Sequence, residues 1–227
     1  IAPCAGRLIA VEIDLRLVEI LRKELAQFDC VEIFPGDILK FDFTYISKQY
    51  KAKLKVVGNV PYHISSPVVF HLLAHRSAIR DFTLMLQKEV VERLVSPPGC
   101  KSYGVPSVLL QMYADLKKLF DVSPGCFYPP PKVSSSVLRG EFLDAPRFAL
   151  EDEMLFNRLV RASFVQRRKM LANNLKQAAF LKELGEENIK FALDQARIDG
   201  KRRGETLSVE EFGALSNLLK NQLTNRG

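Results

Sequence analysis

The chain has 227 residues, of which 47% are apolar and 26% are charged, and its mean hydropathy is close to zero. This length and composition fit one large domain, or one domain with a smaller companion, and they exclude disordered, collagen-like and coiled-coil proteins. The net charge of +7 favours an anionic partner such as nucleic acid, and it is densest in residues 147–227, which carry 15 Lys and Arg against 11 Asp and Glu.

No segment of the sequence predicts a membrane span or a secretion signal. The longest stretch without Asp, Glu, Lys or Arg, residues 56–75, is interrupted by Gly58, Pro61 and Pro67. The chain opens on Ile1 without a basic and then apolar leader, and we expect this opening to be internal to a longer protein. The four cysteines are dispersed, which predicts reduced thiols and neither a zinc site nor a disulfide framework.

Strands and helices alternate in the first part of the predicted structure. After a β-rich run at residues 8–13, the apolar side chains of residues 17–28 recur on one face of a 3.6-residue period, which predicts a strand and then a helix. A second helix is predicted to begin with Ser65 or Ser66 as its N-cap and to run through Leu73. Such alternation indicates βαβ units and a mostly parallel sheet. The predicted strands are residues 8–13, 31–34, 54–57 and 82–86.

The pattern changes beyond these strands. Residues 134–142 predict one more strand, which is compatible with an antiparallel hairpin at the end of the sheet. The rest of the sequence has helical periodicity, and Ser208 with Glu211 forms a capping box at the start of the last helix. We therefore divide the chain into an α/β domain, residues 1–145, and a small all-α domain, residues 146–227. The helices of the second domain are predicted at 151–165, 168–179, 186–196 and 208–220.

Polar residues stand where three of the predicted strands end, which is where open parallel sheets bind ligands. Glu12 is placed to accept both hydroxyls of a ribose, and Asp37 to accept from an adenine amine, although each also fits an ordinary acid in a turn or an N-cap. The Asn59 amide oxygen and the Pro61 carbonyl can accept the two N–H donors of an exocyclic amine while Tyr62 stacks on the ring, which suits a flipped base. A Pro-Tyr turn is also common as a purely structural element.

The sequence Asn-Val-Pro-Tyr at residues 59–62 resembles the motif of methyltransferases that act on amino groups. With the following Ile64-Ser65 it resembles the Asn-Leu-Pro-Tyr-x-Ile-Ser form found in ribosomal RNA adenine dimethyltransferases. Further blocks resemble this family in the family's own order, so the similarity runs from about residue 6 to residue 220, and it is greatest with the housekeeping type that acts on the small ribosomal subunit. These blocks are residues 11–14, 36–39, 86–94, 103–111, 127–137, 164–175 and 196–212.

The resemblance implies a Rossmann-like class I methyltransferase domain followed by a small all-α domain. It implies transfer of methyl groups from S-adenosylmethionine, without a metal, to N6 of two adjacent adenosines in a hairpin near the 3′ end of small-subunit ribosomal RNA. The products are then N6,N6-dimethyladenosine and S-adenosylhomocysteine, and the reaction serves ribosome biogenesis. We expect the immature small subunit as partner, a cytoplasmic location, no membrane association, and a monomer.

The resemblance also implies which residues bind the cofactor. Glu12, with Ile13, matches the position that holds the ribose of S-adenosylmethionine. Asp37 and Ile38 match the pair that reads its adenine and packs against it. Asn59, at the end of the third predicted strand, matches a position that lines both the cofactor and the substrate.

A second set of matched positions handles the target base. Asn59 and Pro61 match the groups that bind the target amine. Tyr62 matches the aromatic residue that stacks beneath the adenine, and Phe127 the aromatic residue that closes over it. The implied catalysis is positional and electrostatic, because a sulfonium-bound methyl group is already activated.

Two basic clusters in the all-α domain predict contacts with RNA phosphates, on a structured hairpin rather than through base reading. A basic cluster also fits an ordinary solvated surface, and we consider a structural role for the neighbouring Arg203. The residues predicted to bind RNA are Arg161, Arg167, Arg168, Lys169, Lys201 and Arg202.

The sequence departs from the family pattern at its start, where the first strand and a glycine-rich loop are expected. We therefore expect an N-terminally incomplete methyltransferase domain and an inactive fragment as one outcome. Two alternatives remain open: a non-catalytic RNA-binding ribosome-assembly factor that keeps the fold, and a resistance-type methyltransferase that acts on large-subunit RNA. The replacements Val60 and His63 are mild and remove no matched function.

Overall fold

The computed structural model describes residues 1–224, in which strands and helices alternate up to the fourth strand and helices follow the sixth. The last three residues of the predicted all-α domain lie outside the described residues. The strands are β1 (Leu8–Glu12), β2 (Val31–Pro35), β3 (Leu54–Asn59), β4 (Ile79–Gln87), β5 (Ala114–Val122) and β6 (Ser135–Phe142). The α-helices are α1 (Leu15–Glu24), α2 (Phe43–Tyr50), α3 (Ser65–Ala74), α4 (Lys88–Val95), α5 (Val105–Gln111), α6 (Glu153–Ser163), α7 (Leu171–Gln177), α8 (Gly185–Gln195) and α9 (Val209–Thr224).

The strands form two sheets. β1 and β2 pair in parallel, with Glu12 opposite Pro35. The other four strands form a mixed sheet in the order β3-β4-β6-β5, in which β3 and β4 are parallel while β6 is antiparallel to both of its neighbours. The predicted α/β class is therefore confirmed, and the β5–β6 hairpin closes the sheet. The prediction of a mostly parallel sheet is wrong, because β6 contributes two antiparallel pairings.

The sequence prediction has no counterpart of α2, α4 or α5, and two further local features differ from it. β5 was not predicted because it lies at the edge of its sheet, where charged and apolar side chains mix and a bulge between Lys118 and Phe120 breaks the alternation. The predicted serine cap of α3 is wrong, because the 3-10 turn Tyr62–Ile64 leads directly into the helix. Ser65 is therefore the first buried residue of α3, and Ile64 occupies the N-cap position.

β4 lies at the centre of the hydrophobic core. Alternate side chains of this strand, Phe82, Leu84 and Leu86, are fully buried, as expected for a strand with neighbours on both edges. The same cluster of buried residues continues into the helical tail, where Phe156 and Phe212 are also fully buried. The sheet and the tail helices therefore share one core.

The tail begins after β6, and the boundary proposed near residue 145 lies in the connection between β6 and α6. The division into two domains stays a prediction, because Phe164 packs edge-on against Tyr103 of the α/β part and also contacts Phe212 of the tail. The predicted capping box is confirmed: the Ser208 N–H donates to the Glu211 carboxylate at 2.7 Å, and the Glu211 N–H donates to the Ser208 hydroxyl at 3.1 Å.

Gly140→Ala should destabilise the fold. Gly140 in β6 pairs with Phe82 in β4, and a Cβ on Gly140 would overlap the buried Phe82 ring. Overpacking of this kind costs about 1–3 kcal/mol, to be measured as a lower free energy of unfolding in urea. Gly6→Ala is the control, because a Cβ on Gly6 meets no atom within 4 Å. Equal stability of the two variants would contradict this packing.

Candidate active site

Two acidic residues lie at the carboxyl ends of the neighbouring strands β1 and β2. Glu12 is the last residue of β1, and its backbone carbonyl accepts the Gly36 N–H at 2.8 Å, which fastens the Pro35-Gly36 turn to the end of the strand. Asp37 follows this turn directly. The structure therefore brings together the two acids that the sequence analysis singled out.

Each of these carboxylates uses one oxygen on the backbone. Glu12 Oε1 accepts the Asp14 N–H at 2.8 Å, and Asp37 Oδ1 accepts the Leu39 N–H at 2.9 Å, so Asp37 does act as the cap of a short 3-10 turn. The second oxygen of each carboxylate is not hydrogen-bonded to any residue within 1–224. Both acids are half-buried, and their free oxygens suit the hydroxyl and amine donors of a nucleoside. Of the two apolar neighbours, Ile13 is exposed and Ile38 is half-buried.

The Asn-Val-Pro-Tyr turn leaves the sheet at the end of β3. Asn59, the last residue of the strand, is exposed, and no described residue hydrogen-bonds to its side chain. Val60 is buried, and its N–H donates to the Met85 carbonyl of β4 at 3.1 Å. The Pro61 carbonyl accepts the Ile64 N–H at 3.0 Å. Since a carbonyl oxygen has two lone pairs, the Pro61 carbonyl keeps one for a ligand.

Tyr62 is held by a hydrogen bond to β6, which lies two strands away from β3 in the sheet. Its hydroxyl and the Ser135 hydroxyl are 2.9 Å apart, and Ser135 is the first residue of β6. Ser135 was not predicted as a site residue, because it lies 73 residues from Tyr62 along the chain. The sequence features that include it are the run of serines at 134–136 and the block 127–137 that resembles the family.

Phe127 lies on the loop that follows β5. β5 ends at Val122, which pairs with Ser135, and Ser135 also pairs with Gln87 at the end of β4. The loop therefore leaves the sheet at the same edge as the turn that carries Asn59. Phe127 itself is half-buried, whereas the next residue, Tyr128, is 100% exposed.

A network of charges fixes the end of β5, and it too was missed, because two of the three donors to Asp121, Lys88 and Ser136, are distant from it in sequence. The Asp121 carboxylate accepts hydrogen bonds from the Lys118 ammonium at 2.7 Å, the Ser136 hydroxyl at 2.6 Å and the Lys88 ammonium at 2.9 Å. These donors hold the pKa of Asp121 far below its usual value, and the hydrogen bond to Asp121 raises the pKa of Lys88.

The basic residues predicted to bind RNA fall into two groups. The first group, Arg167 and Arg202, supports the fold. Arg167 pairs with Glu205 at 2.8 Å and also donates to the carbonyls of Lys101 and Tyr103. Arg202 forms a two-pronged pair with Glu211. An RNA contact by either arginine stays a prediction.

The other group is free for an external ligand. The exposed side chains of Arg168, Lys169 and Lys201 have no ion pair or hydrogen bond among the described residues, and the same is true of Arg203. The Arg161 guanidinium lies over the Phe70 ring, 6.0 Å from its centre. The structure thus separates an exposed basic set from a structural one.

The described residues offer neither a metal site nor a membrane-spanning helix. Residues 1–224 contain no group of three or more His, Cys, Asp or Glu side chains that could hold a metal ion. None of the helices in this range is long and apolar enough to cross a membrane.

Comparison with known proteins finds close relatives over most of the chain. A family model described as ribosomal RNA adenine dimethylase matches residues 2–215. The ribosomal RNA small subunit methyltransferase A of Syntrophus aciditrophicus is 44% identical over 211 residues, which are 92% of this chain and 75% of that protein. The protein of the same name from Geobacter metallireducens is 46% identical over 214 residues, which are 94% and 77% of the two chains.

Solved structures share the architecture. A dimethyladenosine transferase from Plasmodium falciparum has a TM-score of 0.76 at 25% identity, covering 94% of this chain and 82% of that one. The 23S rRNA methyltransferase ErmE has a TM-score of 0.67 at 22% identity, covering 96% and 84%, and shows the fold alone. The predicted Rossmann-like methyltransferase fold is confirmed.

Arg202→Ala should destabilise the tail by about 1–2 kcal/mol, because it leaves Glu211 without its charged partner, whereas Arg203→Ala should change stability by less than about 0.5 kcal/mol. Hydrogen bonding to Arg202 lowers the pKa of Glu211 below its ordinary value of 4.5. The stabilisation is therefore fully present above pH 4.5 and is lost as the pH falls through the lowered pKa. Urea unfolding at neutral and acid pH measures both effects, and an equal loss in the two variants would argue against the assigned pair.

Proposed function

Because the chain belongs to the ribosomal RNA adenine dimethylase family, we propose that it transfers methyl groups from S-adenosylmethionine to N6 of adenosines in small-subunit ribosomal RNA. The observation that carries this proposal is the turn after β3, where the Asn59 side chain and one lone pair of the Pro61 carbonyl are free beside an anchored Tyr62. These groups form a site for an aromatic base with an exocyclic amine.

The substrate within this class is proposed more narrowly. The relatives at 44% and 46% identity are named for the small ribosomal subunit, and this supports two adjacent adenosines in a hairpin near the 3′ end of that RNA. An immature small subunit is then the partner, and the cytoplasm is the place where the two meet. The likeness to ErmE concerns the fold, so a large-subunit substrate has no comparable support.

Glu12 and Asp37 are proposed to hold S-adenosylmethionine. The free oxygen of Glu12 would accept from the ribose hydroxyls, and that of Asp37 from the adenine amine, with Ile38 against the adenine ring. When bound, S-adenosylmethionine supplies a methyl group that its positive sulfur has already activated. The protein therefore needs no strong base to start the reaction.

Asn59 and Pro61 are proposed to act on the amine of the target adenine. The lone pair of this amine is delocalised into the ring, which makes the nitrogen planar and weakly nucleophilic. When an acceptor binds each of its two hydrogens, a pyramidal geometry of the nitrogen is favoured. The lone pair then points out of the plane of the ring. Because the Pro61 carbonyl accepts the Ile64 N–H, this acceptor is set in place before the base arrives, while the position of Asn59 is fixed through its backbone at the end of β3.

Tyr62 and Phe127 are proposed as the two walls that hold the flipped base. Stacking on an aromatic side chain is worth about 1–3 kcal/mol per base. It also fixes the plane of the adenine, and therefore the direction in which N6 faces the cofactor. The basic tail residues supply the sequence-independent part of the affinity through RNA phosphates.

The experiment that tests the proposal is transfer of labelled methyl groups from S-adenosylmethionine to unmethylated small ribosomal subunits. Large subunits are the control substrate. We expect labelled N6,N6-dimethyladenosine in the small-subunit RNA alone. Binding to small subunits without any transfer would instead indicate an inactive fragment or the non-catalytic assembly factor, of which only the fragment would gain transfer when the chain is extended at its N-terminus. Labelling of the large subunit would favour the resistance-type enzyme.

Asn59→Ala should lower kcat at least about a hundredfold while small-subunit binding is unchanged, because the variant loses one of the two acceptors for the target amine, which matters most during the reaction. Steady-state methyl transfer and a filter-binding assay measure the two effects. Asn221→Ala, which removes an exposed amide from α9, is the matched control and should behave as wild type. Unchanged turnover in Asn59→Ala would remove Asn59 from the mechanism.

Charge reversal of the exposed basic set should weaken RNA binding and its dependence on salt. The double variant Arg168→Glu, Lys169→Glu is expected to bind a ribosomal RNA hairpin more weakly, with a slope of log K against log salt that is smaller by about one to two, while S-adenosylmethionine affinity stays the same. Lys23→Glu with Lys48→Glu makes the same change in net charge on α1 and α2 and is the control. An equal change in slope for both double variants would indicate only a net-charge effect.

A further inference from the structure

We propose that Ser135 is a positioning residue for methyl transfer, which sets the orientation of the Tyr62 ring against the target base. The inference rests on the proposed function and adds to it a residue of β6 that touches neither the base nor the cofactor. Its basis is the hydrogen bond between the Tyr62 and Ser135 hydroxyls and the place of Ser135 in the sheet.

The hydrogen bond joins a partly exposed ring to a buried anchor. Ser135 is 1% exposed, and its side chain has no hydrogen-bond partner among the described residues other than Tyr62. Tyr62 follows Pro61 on a short 3-10 turn and is half-buried, so part of its side chain stays accessible. A ring that is fixed at the backbone and again at its hydroxyl cannot swing away from the base, because both ends of its long axis are held.

Ser135 also lies where both walls of the base site are attached to the sheet. In the β-sheet register it is opposite Gln87, the last residue of β4, and opposite Val122, the last residue of β5. The loop that carries Phe127 begins directly after Val122. One residue therefore contacts the Tyr62 wall through its side chain and the start of the Phe127 loop through its backbone pairing.

The next residue of β6 makes this attachment rigid. Ser136 is fully buried and donates to Asp121, one residue before the end of β5. The ammonium groups of Lys88 and Lys118 bind the same carboxylate. Because neighbouring residues of a strand point to opposite faces, Ser135 faces the tyrosine while Ser136 ties β5 to β6 and α4 from the other face.

A loose Tyr62 ring should reduce the rate and leave affinity alone. Binding by stacking needs only a ring that can reach the base, and a loosely held ring still reaches it. The reaction needs the base in one plane, so that N6 meets both acceptors at once. Loss of the Ser135 hydroxyl is therefore predicted to act on kcat and not on KM.

The experiment compares methyl transfer to unmethylated small subunits by wild type, Ser135→Ala, Tyr62→Phe and the double variant. Each single variant removes the same hydrogen bond, and we expect each to lower kcat about five- to tenfold, with KM for RNA and for S-adenosylmethionine within about twofold of wild type. The double variant should be no slower than the slower single variant, because only one bond is lost. Ser135→Thr keeps a hydroxyl on a β-strand and should recover part of the rate.

Ser163→Ala is the matched control, because it removes one equally buried hydroxyl from α6, where it donates only to the Leu159 carbonyl. It should keep the wild-type kcat. Tyr62→Phe tests the same bond without a change in the buried strand, so the experiment does not depend on Ser135→Ala being stable.

Three results would overturn the inference: a wild-type kcat in Ser135→Ala, losses that multiply in the double variant, or an equal loss in Ser163→Ala. Failure of the proposed function is distinguishable from these, because wild type itself would then transfer no methyl groups to ribosomal RNA, and both proposals would fall together.

Discussion

The pairing of β4 with β3 on one side and with β6 on the other is the constraint on which the rest of the structure depends. Its buried side chains fill the core, and its two edges fix the register of its neighbours. The pairing extends one step past the strand, since the Met85 carbonyl binds the Val60 N–H of the turn. In consequence the last residues of β3 and β5 and the first residues of β6 lie at the same end of the sheet, where β3, β4 and β5 finish. The site is a property of that register, because a shift by one residue would turn each of its side chains to the opposite face.

Sequence patterns predicted the features that are encoded locally. The capping box at Ser208 depends on a few adjacent residues and is present as predicted. The strands predicted at 8–13 and 54–57 end at Glu12 and Asn59, within two residues of the predicted bounds. The bond between Tyr62 and Ser135 could not be predicted in this way, because it joins residues 73 positions apart whose meeting is decided by the sheet. The edge strand β5 escaped prediction for a related reason: besides the pair of Lys118 and Asp121 within the strand, its charged side chains are stabilised by partners on β6 and α4. The assignment of roles to site residues came from the family resemblance, and it stays a prediction.

Net charge also proved to be a coarse guide. The tail is basic by sequence, but part of that charge is neutralised within the fold, where Arg167 is fixed to Glu205 and Arg202 to Glu211. These pairs connect loops of the tail to each other and to the α/β part. The charge left for a polyanion is that of side chains without a partner among the described residues, such as Arg168 and Lys169. A cluster that looks continuous in sequence is therefore divided between stability and binding.

The shared use of the Pro61 carbonyl has a consequence for the order of events at the target base. An unmethylated adenine amine offers two hydrogens to the acceptors of Asn59 and Pro61, the monomethylated amine offers one, and the dimethylated amine offers none. The Pro61 carbonyl still accepts the Ile64 N–H when the base has nothing to donate, so it is never left without a partner. Asn59 is exposed and can turn to water. In the proposed mechanism the site therefore holds its substrate through hydrogens that the reaction removes, and the finished product would leave without a buried polar group being left unsatisfied.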